Sequence, residues 1–399
     1  MKLVKTWRWF GPQDPVKLND LMQMGVEAVV TSLLHIPVGE EWTPTEIEKR
    51  KRLIEHFPFH WTIVESLNIH ESIKTGSKER DYYIEQYIKS IRNLSAAGIR
   101  TVCYNFMPVL DWVRTHYAYP LINETETIRF DFPSLAAFDC FILKRKDAEQ
   151  SYPERLVKTA KYLFNNLSSI QKKELQNTCM GALPGTDQVL SLDEFRAGLQ
   201  RFNKIGAERM RENLAYFLRK VIPVAEDAGV KLAIHPDDPP FSVFGLPRIV
   251  STAQDLQLIH SMIPSASNGI TFCTGSLGVR EDNDVPDMLE QFGNRIHFFH
   301  FRNVIIEADG SFMEADHLDG KVDMAAVMKK ALRELTRRKE QGDLSREIPW
   351  RPDHGFRMLD DFRRDTYPGY ALNGRFKGMM QIEGLEKGVR RFLWPDILN

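Results

Sequence analysis

Four runs in the second half of the chain decide the fold: VKLAIHP (230–236), GITFCTG (269–275), IHFFHFR (296–302) and IPWRPDHG (348–355). Each is a short β-branched or aromatic stretch, and each ends on a residue able to ligate a metal: His235, Cys273, His300 and Asp353. Parallel strands of a barrel deliver their C-terminal ends to one rim, so four such ends converge there. Two imidazoles, one thiolate and one carboxylate would hold a divalent cation with no net charge left over. The pattern predicts a metalloenzyme.

The first half carries the same rhythm. Strands are expected near 2–8, 26–31, 60–66 and 99–105, then 230–235, 269–274, 295–301 and 347–353. Longer amphipathic stretches separate them, which is the alternation of a parallel sheet. LMQMGVEAVV (21–30), LSAAGIRTVCY (94–104) and AEDAGVKLAI (225–234) each place a glycine helix stop just before a strand. Eight strands close a (β/α)8 TIM barrel, and the whole chain, 1–399, is read as one such domain. An open doubly wound sheet would need a glycine-rich phosphate loop, and the sequence has none. Two segments break the rhythm. Residues 107–205 form a helical insertion after the fourth strand, with helices expected near 134–149 and 153–177 and Ser191 as an N-cap in SLDEF. VIIEADGSFMEAD (304–316) reads as a hairpin turning at Asp309–Gly310. The helix that follows, VDMAAVMKKALRELTRRKE (322–340), carries Lys329, Arg333 and Arg337 as a solvated face.

Composition narrows the function. A formal net charge of −1 gives no basic excess to attract nucleic acid or an anionic membrane. No apolar run is long enough to span a bilayer, and the first residues are not a signal peptide. Four cysteines without tight spacing are no disulfide framework, so a reducing cytoplasm is expected. A homo-oligomer, dimer or larger, is expected from the exposed barrel helices and the insertion.

Residues at the other strand ends complete the expected rim: Arg8, His35 just past the second strand, Glu65 and Asn105. Arg8, His35 and Asn105 are candidate substrate contacts. Arg302 lies two residues beyond His300, on the same side of the strand. It is either a fork for a substrate carboxylate or half of a salt bridge. His297 faces the other way. Asp237 and Asp238 either orient the His235 ring or are turn residues. His354, beside Asp353, would project toward substrate; imidazole suits proton transfer because its unperturbed pKa, ~6.5, lies near working pH. DTYPGY (365–370) offers Tyr367 and Tyr370 as phenolic acids or bases.

TWRWFGPQDPV (6–16), VVTSLLHIPVGE (29–40), CYNFMPVLDW (103–112), HPDDPP (235–240) and RPDHGFRM (351–358) resemble segments of the bacterial mannonate dehydratase family, from residue 1 to the C-terminus. The resemblance implies a (β/α)8 barrel that removes water from D-mannonate to give 2-dehydro-3-deoxy-D-gluconate in hexuronate breakdown, using Mn²⁺ or Fe²⁺. It places the metal ligands on His235, Cys273, His300 and Asp353, the catalytic histidine on His354 and the tyrosine on Tyr370 rather than Tyr367. Four protein ligands leave an octahedral ion two open positions, whereas they would saturate a tetrahedral zinc. The competing readings are a metal-dependent sugar isomerase-like barrel, a nucleic-acid-cleaving barrel and a non-catalytic protein with a structural zinc.

Overall fold

The computed structural model describes residues 2–181, 190–342 and 347–394. Eight parallel strands close into a barrel: β1 (Lys2–Arg8), β2 (Ala28–Thr31), β3 (His60–Glu65), β4 (Thr101–Tyr104), β7 (Lys231–Ile234), β8 (Asn268–Cys273), β9 (Ile296–Phe301) and β12 (Glu347–Pro352). They stand in the order β1-β12-β9-β8-β7-β4-β3-β2, so each neighbours the strand before and after it around the ring. Gly98 and Gly229, at φ +84° and +64°, end the helices ahead of β4 and β7, a left-handed backbone that glycine adopts without a Cβ clash.

Two apolar layers hold the barrel. The larger lies between strands and surrounding helices and includes Phe299, Phe301 and Trp350. The smaller fills the barrel itself: Val30, Ile63 and Phe298. Along β9, Phe298 therefore points in and Phe299 out. The period of two then sets His300 inward, with its ring 4.6 Å from that of Phe298. His297 faces away and its Nε2 lies 2.9 Å from the Ala266 carbonyl.

The segment after β4 differs from a purely helical insertion. It opens with an antiparallel hairpin, β5 (His116–Pro120) and β6 (Glu126–Phe130). β6 pairs with a second hairpin, β10 (Val304–Ile306) and β11 (Phe312–Glu314), in a four-stranded sheet ordered β10-β11-β6-β5. That second hairpin turns at Gly310, φ +85°, where the sequence places it. Helical chain follows from Phe132: an α-turn to Ala137, a π-turn to Leu143, then helices Glu154–Asn166 and Ser169–Cys179. The single helix expected over 153–177 is broken because Ser168 caps a new one, accepting from Gln171 N–H while the Gln171 side chain reaches back. Ser191 caps Leu192–Phe202 by the same box with Glu194. Among the described residues no helix is long and apolar enough to cross a membrane.

Candidate active site

β7, β8 and β9 end side by side, and their last inward residues meet. One ligand atom from each of His235, Cys273 and His300 lies within 4.8 Å of the others. His235 Nε2 is 3.1 Å from His300 Nδ1. Asp353, following β12, comes fourth around the rim: Oδ2 is 3.6 Å from Cys273 Sγ and Oδ1 is 3.8 Å from His300 Nδ1. His235, Cys273 and His300 are spaced so that each can sit ~2.0–2.3 Å from one ion, and Asp353 stands at the edge of that group.

The surroundings aim these donors. His235 Nδ1 lies 2.7 Å from the Pro236 carbonyl, which holds the proton on Nδ1 and turns Nε2 to the cluster. His300 Nε2 lies 3.4 Å from Glu65 Oε2, so its Nδ1 is the nitrogen left for a ligand role. Burial, then the neighbouring Arg351 charge, drops the His300 pKa to about 4, leaving a neutral ring with a lone pair. Cys273 Sγ accepts from the Ser276 N–H and Oγ, at 3.4 and 3.2 Å. Burial and the Asp353 charge push the thiol up to about 12, with Arg302 opposing them. A divalent ion reverses that balance, since a coordinating thiol is deprotonated. Burial alone would raise Asp353, yet the His354 ring, the Arg351 charge, the His300 ring and the Arg302 charge beside it hold its carboxyl well below the usual range. A neutral His300 ring, a His235 ring turned to the cluster by Pro236, a thiol with waiting donors and an ionised carboxylate fit a divalent metal.

Arg302 is not left for substrate. Its Nε and Nη2 donate to Glu314 at 2.6 and 2.7 Å, and its Nη1 to Asp238 at 2.8 Å. The geometry is that of the salt-bridge alternative. Asp238 is also gripped by both nitrogens of Arg114, each at 2.9 Å. Neither acid after His235 orients its ring: Asp238 serves these arginines, and Asp237 accepts from Val250 N–H and Ser251 Oγ. His35 is also displaced from the rim, its exposed ring paired with Glu46 at 2.8 Å.

Arg8 is a buried cation at the chamber wall with a donor to spare. It is 5 % exposed, and its Nη1 has no hydrogen-bond partner among the described residues. Arg8, Asn105, His354 and Tyr370 wall one chamber with His235 and Asp353. His354 stands edge-on to Tyr370, ring centroids 5.1 Å apart, and its Nδ1 is 3.2 Å from Glu314 Oε1, too poorly aligned for a formed hydrogen bond. Burial raises the Tyr370 phenol above its ordinary value, with Asp353 adding to the shift. Tyr367 packs against Phe10, as Tyr370 also does.

Three contributors were not singled out from sequence. Glu314 ends β11 and joins Arg302 to His354. Arg351 clamps Glu65 through two bonds of 2.9 and 2.7 Å. Trp112, at the start of the insertion, lies over His354 with centroids 5.6 Å apart. The only sequence signal for Glu314 is its position after a readable turn, with phase that points it inward.

A closed parallel barrel with a His–Cys–His cluster at its C-terminal rim, beside His354 and Tyr370, has the form of a metal-dependent barrel enzyme for small molecules. The family model for D-mannonate dehydratase (UxuA) matches residues 1–393, and the chain belongs to that family. Mannonate dehydratase of Saccharophagus degradans is 44 % identical over 382 residues, 96 % of either chain. That of Chromohalobacter salexigens is 46 % identical over 387 residues, 97 % of this chain and 98 % of the relative. The crystal structure of mannonate dehydratase from Streptococcus suis serotype 2 aligns at a TM-score of 0.78 and 32 % identity, over 99 % of this chain and 97 % of that one. A D-tagatose 3-epimerase-like protein, 12 % identical with a TM-score of 0.52, covers 98 % of this chain and 100 % of its own, and shares the fold alone.

Proposed function

We propose that this chain is a mannonate dehydratase, a hydro-lyase that converts D-mannonate to 2-dehydro-3-deoxy-D-gluconate in hexuronate breakdown. The observation that carries the reading is the His235–Cys273–His300 cluster sharing a rim with His354 and Tyr370, in a chain of that family. His235, Cys273, His300 and Asp353 would hold Mn²⁺ or Fe²⁺. When bound, the ion supplies Lewis acidity to the acid end of the substrate.

The chain's own groups handle the protons. His354 removes the proton from C2, and Glu314, facing Nδ1, holds the ring and favours the charge it gains. Tyr370, kept protonated by burial, gives its proton to the hydroxyl leaving C3. Water departs, and the enol left between C2 and C3 takes a proton at C3 and gives up its hydroxyl proton to become the 2-keto acid. Arg8 offers its unused Nη1 donor to a substrate oxygen, the part first assigned to Arg302. Asn105 stands in the same wall. Work in the cytoplasm and as a homo-oligomer belongs to the same reading.

The test is an anaerobic assay of metal-stripped protein with D-mannonate, adding Mn²⁺, Fe²⁺ or Zn²⁺ in turn. A 2-keto product is expected with Mn²⁺ or Fe²⁺. No product with any metal, together with unfolding on stripping, would make the ion structural instead.

A further inference from the structure

We infer that the larger cavity adjoining the metal rim is a subsite for the polyol end of the substrate, carbons 4 to 6. The inference rests on the proposed elimination at C2 and C3. The chamber walled by His235, Asp353, His354 and Tyr370 has a free volume of about 40 Å³. That is room for about three waters, and a six-carbon acid does not fit within it. The rest of the molecule must lie elsewhere.

One neighbour has the space. A cavity of about 720 Å³ shares Arg8, Ser66 and Asp111 with the small chamber. It spreads between the loop after β2 and the helix Glu71–Thr75 that follows β3, and Arg201 reaches its wall from the insertion helix Leu192–Phe202. Passing from one space to the other, a bound chain runs beside Arg8, whose Nη1 is buried without a partner.

The lining is polar and carries charges of both signs, Arg8, Lys74 and Arg201 against Glu71, Glu79 and Asp111, which suits a hydroxylated chain rather than an apolar one. Asn68 Oδ1 accepts from Ser66 Oγ at 2.6 Å, and its Nδ2 donates to nothing among the described residues. Tyr87, 5 % exposed, also lines the cavity and has an unpartnered hydroxyl. His70 and Tyr83 form a stacked plate, centroids 3.5 Å apart, against which the C–H faces of a sugar chain can lie. Fixed donors matter here because a site built for a hydroxyl leaves its polar groups unpaired when the hydroxyl is missing. The consequence is a division of labour. The rim carries the chemistry, and the loops after β2 and β3 read chain length and configuration beyond C3.

The test pairs two ligands. D-mannonate spans both spaces, whereas the four-carbon aldonate matching it at C2 and C3, used as a competitive inhibitor, fills the small chamber with little beyond. Ser72→Leu narrows the cavity without touching the rim. KM for D-mannonate should rise roughly tenfold or more while the inhibition constant of the short acid stays within about twofold. Asn68→Ala, a smaller change that guards against misfolding, should shift the two ligands in the same unequal way. Equal weakening of both ligands, or an unchanged KM for D-mannonate, would overturn the subsite and leave the cavity as an entry path. Wild-type protein inactive on D-mannonate would instead defeat the elimination itself.

Discussion

Glu314 shows how much a single carboxylate can organise at this rim. It neutralises Arg302, lies 3.4 Å from Arg114 and faces His354 Nδ1, while the Arg302 charge, the His354 ring and the Arg114 charge hold its own pKa at about 2 despite burial. Glu314→Gln should therefore lower kcat at least tenfold while KM and bound metal change little, because the substrate and ligand atoms stay in place. Steady-state kinetics beside metal analysis checks this, and an unchanged kcat would remove Glu314 from the proton path. His354→Ala should cost roughly 10²–10⁴-fold in turnover at constant metal content. Exchange of the C2 proton with solvent separates the two partners: it should vanish in His354→Ala and persist in Tyr370→Phe. Cys273→Ser should weaken metal binding by roughly tenfold or more, since a hydroxyl does not ionise as a thiol does. Undiminished affinity in a metal titration would exclude the sulfur as a ligand.

At the scale of elements, the four-stranded sheet is what carries Glu314 to the barrel. Phe312 on β11 stacks on Phe130 of β6 with centroids 5.2 Å apart, both fully buried, and Met313 pairs with Arg129. Phe312→Ala should cost about 3–5 kcal/mol, read from the urea midpoint, because the sheet cannot collapse around the missing ring without moving β11. A cost under about 1 kcal/mol would mean that the two hairpins are not locked together. The barrel strands were legible in advance because each keeps its own short apolar run, three of them behind a glycine helix stop, signals that need no distant partner. The 304–316 hairpin was legible for the same reason, through Asp309–Gly310. HYAYP and ETIRF were read as part of a helical insertion because β5 and β6 are short and β6 finds its neighbour, β11, far along the chain. Site residues divide along the same line. Strand phase puts His300 and Arg302 on one side of β9, but the acids that occupy Arg302 come from the loop after β7 and from β11, and no local pattern announces them.

Across the whole molecule, folding buries histidines that have no part in metal binding, and they tie stability to pH. His260, on the helix Ala253–Met262, and His317, after β11, are 9 % and 4 % exposed, each with an unpartnered Nε2. Burial lowers both to about 4; Arg295 adds to the effect on His260, while Glu314 and Asp316 oppose it on His317. The unfolded chain then binds more protons than the folded one between the ordinary imidazole value, ~6.5, and about 4. Stability is whole above that window and falls as the pH drops through it. Each group contributes roughly 1.4 kcal/mol per pH unit, so the pair should cost on the order of 4 kcal/mol by pH 5. The depressed carboxylates of Glu314 and Asp353 act in the same direction, but mainly at lower pH, because unfolded acids titrate near 4. His300 is also lowered, yet a bound ion would shield it from protons, so metal-loaded and chelated protein separate its share from the rest. Urea unfolding at pH 7 and pH 5 should show the loss in both forms, larger after chelation. His260→Leu should remove its own share, roughly 2 kcal/mol at pH 5, of the loss that metal does not suppress. A stability flat across this range in the loaded protein would mean that these two rings open to solvent before they titrate.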